Sequence, residues 1–262
     1  GRLNTLERLG LAEKRQQGVW ALDPKAEYKL RELGARADKF KMMQRALQEV
    51  GINRSAAAMA LFERGPLIRG YGSRKRITAE TCIHFLRFDR ADYAKLGNFI
   101  KCNPSIKEAS DREALIAALA DDVVDVLATD HAPHTLEEKM RPYTSAPSGL
   151  PLVQYALVAA LELVHEGRLT NAQVVQKVSH APAQLFDVSQ RGFLREGYMA
   201  DLVLIDDTPF TVRREDVLSK CGWSPFEGRT FHSRIGATWV NGVLAWDGER
   251  LAGTPGGQRL EF

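Results

Sequence analysis

The segment Val123-Val124-Asp125-Val126-Leu127-Ala128 constrains this chain more than any other stretch, because five of its six side chains are apolar. A strand of that kind is buried on both faces, and such strands belong to parallel sheets covered by helices. Helical periodicities flank it, at Asp111–Leu119 upstream and at Pro151–His165, Asn171–Val178 and Ala181–Phe186 downstream. Ile77–Leu86 reads as a further extended segment. The alternation predicts parallel βα units over residues 55–190. Directly after the apolar strand come Thr129-Asp130-His131-Ala132-Pro133-His134. In a βα barrel the reacting groups gather at the C-terminal ends of the strands. A carboxylate there binds a metal or takes a proton from metal-bound water, and an adjacent imidazole orients an anionic substrate. An Asp after a strand also commonly caps the next helix, and loop histidines are often idle. Spacing alone leaves both readings open.

Texture changes beyond residue 190. Asp201–Asp206 (DLVLID) is a strand pattern, and Ala237–Val240 with Val243–Trp246 around Asn241-Gly242 predicts a hairpin closed by a type I′ turn. Residues 191–262 therefore read as a small β-domain. Residues 1–53 read as short helices around one extended pair: Leu3, Leu6 and Leu9 at helical spacing, the strand-like Gly18–Leu22, then helices over Ala26–Leu33 and Lys39–Val50. That order predicts a minimal winged-helix-like α+β segment. It also holds the basic excess, 12 Lys/Arg against 7 Asp/Glu in residues 1–54, whereas the whole chain is only +3. A solvated helix face explains this as well as a nucleic-acid-binding ancestry does. Three scattered cysteines, Cys82, Cys102 and Cys221, make neither a disulfide framework nor a CxxC zinc site. With a polar N-terminus and no apolar run long enough to span a bilayer, the expected compartment is the cytoplasm.

The string TDHAPHTLEEK at 129–139, followed by Ala146-Pro147-Ser148-Gly149-Leu150-Pro151, closely resembles the dihydroorotase family of cyclic amidohydrolases. So do Lys101-Cys102-Asn103-Pro104-Ser105-Ile106-Lys107, ITAETCIHFL at 77–86 and GFLREGYMADLVLID at 192–206, all in family order. Ala58-Met59-Ala60-Leu61-Phe62 resembles the helix after that family's sixth barrel strand. The resemblance implies the C-terminal part of an α/β amidohydrolase TIM barrel with a small β-sandwich domain. It also implies zinc and the reversible hydrolysis of dihydroorotate to carbamoyl aspartate in pyrimidine synthesis. By that resemblance Asp130 is a metal ligand and general acid/base. Asn103 contacts the substrate ring, His134 helps bind its carboxylate, and the backbone around Pro147–Gly149 is a substrate loop. His84, on the seventh strand, and His131 are expected to be packed or supporting histidines.

Much of the family pattern is absent. There is no His-x-His, the first histidine is His84, and the position of the strand-six ligand falls on Ile52. Of the family's ligands only Asp130 remains, far from a zinc site of three or four ligands. Two or three strands do not close a barrel, so a poorly stable monomer is expected, with edges open to pairing with another copy. RLNTLERLGLAEKRQQGVWALDP and LRELGARADKFKMMQRAL resemble part of a plasmid-mobilisation relaxase beyond its nuclease domain. With no histidine there, nicking is not implied, and weak DNA contact through Lys14, Arg15 and Arg45 is the remaining expectation. The chain reads as two unrelated gene pieces joined near residues 51–55, by recombination or an assembly error. Besides a truncated amidohydrolase, a non-catalytic scaffold for a transcarbamoylase and a DNA-binding fusion stay open.

Overall fold

The structure, a computed structural model, describes residues 78–253 and 256–262, together with the backbone of Ala12–Gln16 and Val19–Leu22. The last two segments are β1 and β2, an antiparallel hairpin with Ala12 opposite Leu22. The helices predicted at residues 3–9, 26–33, 39–50 and 58–62, and the junction near 51–55, lie outside the described residues.

Two short parallel strands carry the candidate site: β3 (Glu80–Cys82) and β4 (Val126–Ala128), with Cys82 opposite Ala128. Both are shorter than their apolar runs predict. Ile77 lies outside the described residues, and the extended reading of 77–86 fails after Cys82, where Ile83–Arg87 turns into helix α1. Ile83 and Leu86 fall on one helical face, and both are buried in the core. Before β4, the N–H groups of Val123 and Val124 go to the carbonyl of Ala118 and close the preceding helix instead of extending the strand. The Asp125 carboxylate accepts from Ala79 N at 2.9 Å and so ties the starts of the two strands together.

A turn of helix, α2 (Tyr93–Leu96), precedes α3 (Ala109–Ala120), whose first turn is closed by Asp111 accepting from Glu108 N. Helix α4 (Leu136–Lys139) starts on a capping box, in which Thr135 Oγ1 accepts from Glu138 N and Glu138 accepts from Thr135 N. Helix α5 (Ala156–His165) begins five residues later than its periodicity predicts, after a turn over residues 153–155. The helices predicted at 171–178 and 181–186 are one bent rod. Helix α6 (Asn171–Val175) passes through a π-turn (Gln176–His180) into α7 (Ala181–Leu185). Buried Lys177 holds that bend against the base of β4, donating to Asp122 Oδ1 at 2.6 Å and Val124 O at 2.7 Å.

The C-terminal region carries β5 (Leu202–Asp206), β6 (Phe210–Thr211), β7 (Thr230–Phe231), β8 (Arg234–Val240) and β9 (Val243–Trp246). Antiparallel order is β5-β8-β9, with β6 and β7 as a separate ladder absent from the sequence reading. Asn241 and Gly242 both have positive φ, 52° and 78°, as a type I′ hairpin requires. One core spans both regions: Leu119, Val158 and Leu163 belong to the same buried cluster as Val212, Phe226 and Phe231. The outer strand β5 is different, with Leu202, Val203, Leu204 and Ile205 between 38% and 52% exposed. No helix of the described residues is long and apolar enough to cross a membrane.

Candidate functional site

The site lies beyond the C-terminal ends of β3 and β4. Asp130 has φ 47°, a left-handed conformation that aspartate tolerates better than most residues. It is exposed at the mouth of the strands. Two thiols face its charge from below. Cys82 is pushed up to about 12 and Cys102 to about 11, in both cases chiefly by burial, with the Asp130 carboxylate adding to it. Both therefore stay protonated near neutral pH and are poor metal ligands or nucleophiles.

His131 and His134 diverge from Asp130's role. The Nδ1 of His131 accepts from two backbone N–H groups, Leu152 at 3.0 Å and Val153 at 3.1 Å. That fixes the ring's tautomer with the proton on Nε2 and makes His131 a brace between the strand end and the segment that leads into α5. His134 points the other way, with Nε2 at 3.1 Å from the carbonyl of Ser148. Its own carbonyl accepts from the indole of fully buried Trp223 at 2.8 Å.

Gly149 packs directly under this loop. A Cβ there would lie 2.6 Å from Ala132 O, 2.7 Å from Ala132 Cβ and 3.0 Å from His134 Cδ2, and its φ is +141°. Only glycine suits such a position. Its N–H donates to Lys101 O at 2.9 Å, which ties the loop to the segment leading into Asn103. Asn103 is exposed and joined to Pro104 by a cis peptide bond. The structure thus gathers Asn103, Asp130, His134, Pro147 and Gly149 on three adjacent loops.

His84 is not among them. It lies on α1 instead of a strand, fully buried, with neither ring nitrogen hydrogen-bonded. Burial alone pushes its pKa down to about 4, so it is a neutral core side chain. Sequence reasoning also missed Lys139, Lys101 and Trp223, the residues that hold the loops. Lys139 and Lys101 both lie inside the strings that carry the resemblance, but neither has a local pattern that tells a buried lysine from a solvated one.

The described residues do not fit the zinc that the resemblance implies. Among them no three His, Cys, Asp or Glu side chains converge to hold a metal ion. His131 Nδ1 is committed to backbone donors, His134 Nε2 to a carbonyl, and both nearby cysteines stay thiols.

Residues 106–245, more than half of the sequence, match the model of the amidohydrolase family. The chain belongs to that family. The dihydroorotase of Halobacterium salinarum is 39% identical over 182 residues, and that of Clostridium acetobutylicum 36% over 173. These alignments cover 68% and 65% of this chain, but only 42% and 41% of the relatives, so the chain spans about two fifths of their length. The L-hydantoinase (dihydropyrimidinase) structure from Arthrobacter aurescens superposes with a TM-score of 0.69 at 21% identity, covering 82% of this chain and 49% of that one. The amidohydrolase fold is thus present in part. Residues 1–68 match a family described as a protein of unknown function (DUF3363).

Proposed function

We propose that this chain carries the substrate-loop half of a dihydroorotase-like cyclic amidohydrolase and has no turnover by itself. The observation that carries the reading is the convergence of Asn103, His134 and the Pro147–Gly149 backbone beside the exposed Asp130 carboxylate, on segments that align with dihydroorotases. Dihydroorotate offers a planar ring amide and a carboxylate. The amide of Asn103 matches both the N–H and C=O edges of such a ring. The imidazole of His134, held beside the Pro147–Gly149 loop by the Ser148 carbonyl, is assigned to the carboxylate. Asp130 can take a proton from attacking water and return it to the departing ring nitrogen. One carboxylate does not also polarise the amide, and the family's zinc would need ligands beyond the described residues. The remaining proposals concern organisation. The chain divides at residues 1–53, 55–190 and 191–262, and the first segment, winged-helix-like and relaxase-like, makes weak, salt-sensitive DNA contact.

Calorimetric titration with dihydroorotate and with carbamoyl aspartate tests the main reading, alongside turnover assays and zinc analysis. Binding is expected, weakened about tenfold or more in His134→Ala, the loss of one charge-assisted contact. Turnover is expected to be absent and zinc to stay below one per chain. Absence of binding, or turnover that disappears in Asp130→Asn, would overturn the reading.

A further inference from the structure

We infer that Lys139 is a positioning residue, a buried ammonium whose three bonds to backbone carbonyls hold the substrate loops in register. Its Nζ donates to Gly149 O at 2.9 Å, Pro147 O at 3.0 Å and Lys101 O at 3.3 Å. Those acceptors belong to two segments far apart in sequence, one leading into Asn103 and one forming the Pro147–Gly149 loop. The side chain is 1% exposed, and an ammonium has three donors, so all of its hydrogen-bonding capacity is spent on these carbonyls. The third segment is the lysine's own, since α4 follows the Asp130–His134 loop directly. One cation therefore joins all three loops.

The surroundings favour this role over a merely solvated lysine. The Trp223 ring lies 5.9 Å from Nζ and closes one side, and the same indole donates to His134 O. Lys101 secures the outer turn of the loop, donating to Tyr143 O at 2.6 Å and Ala146 O at 2.5 Å. Among the described residues no carboxylate pairs with Lys139. The charged or titratable groups acting on it are the Cys102 thiol and the Lys101 ammonium, and burial, the largest influence, pushes it down to about 8. A free lysine titrates near 10.4. Between those values the unfolded chain holds more protons than the folded one, so raising the pH stabilises the fold as a whole. Over the same interval the latch loses its charge, and the loops should loosen. The charge of the latch and the stability of the whole fold therefore change in opposite directions over this interval.

The role of these loops in binding rests on the dihydroorotase reading, so the test separates the two. Amide hydrogen exchange, normalised to intrinsic rates, is followed from pH 7 to pH 9.5 in the full chain and in Lys139→Met. In the variant, peptides covering residues 99–106 and 144–153 should exchange roughly tenfold or more faster, equivalent to one lost charge-assisted bond. The β5-β8-β9 sheet should stay unchanged. In the unaltered protein the same two segments should lose protection as the pH passes about 8. Unchanged exchange in both arms, or a uniform rise that includes the β5-β8-β9 sheet, overturns the proposal. If Lys139→Met does not fold, the pH arm decides alone. Dihydroorotate binding that survives the loosening also overturns the positioning role. If neither protein binds dihydroorotate, the functional reading fails while the exchange data still judge the latch.

Discussion

At the scale of single residues, His84 and Gly149 show how surroundings override chemical type. His84 is imidazole in name and an apolar core side chain in behaviour. The folded chain keeps it neutral down to about pH 4, whereas an unfolded histidine takes its proton near 6.5. Between those values the unfolded state binds more protons, so this contribution is complete above about pH 6.5 and is lost as the pH falls toward 4. The shift is worth about 3 kcal/mol. His84→Leu should remove that acid sensitivity and leave stability at pH 7 unchanged or improved, because both unpartnered ring nitrogens go with it. Urea midpoints at pH 7 and pH 5 check this. Gly149→Ala forces a methyl against Ala132 at a backbone angle that L-residues avoid. It should cost about 3 kcal/mol in denaturant unfolding.

At the scale of elements, what could be read from the sequence was what local chemistry decides. The Asn241-Gly242 hairpin, helix α3 and the strand leading to Asp130 need only turn geometry, periodicity and apolar run length. The misplaced boundaries have contacts that the pattern does not show. Ala118 claims the N–H groups that would lengthen β4, and His131 holds the backbone of Leu152 and Val153 ahead of α5. The Asp130–His134 cluster was legible as a loop of reactive types, and so was its glycine-bearing partner. The parts that fasten it were not, since Trp223 reaches His134 across 89 positions. Trp223→Phe keeps a ring in the core and deletes that one bond. It should cost about 1 kcal/mol, with faster exchange confined to peptides around residue 134.

At the scale of the whole molecule, the described residues share one core and leave an apolar strand exposed at its margin. The buried cluster runs unbroken from the barrel helices into the β-domain. The strand β5 presents four consecutive apolar residues at 38% to 52% exposure. Edge strands of this character seek partners. Sedimentation of the chain should show association that grows with concentration. Leu204→Lys, at the most exposed of the four positions, should reduce it with a stability change within about 0.5 kcal/mol. Equal association in the variant would place the sticky surface elsewhere.

The cation under the loops has a consequence for heredity. Its acceptors are peptide oxygens, which every codon supplies, so mutations at 101 or 147 can change the side chain and leave the acceptor standing. The codons answerable for the arrangement are few: the lysine itself, the glycine at 149, and Lys101 and Trp223, whose side chains fasten the same loops. A site assembled this way could drift widely in the residues that meet the substrate while its geometry is inherited almost intact.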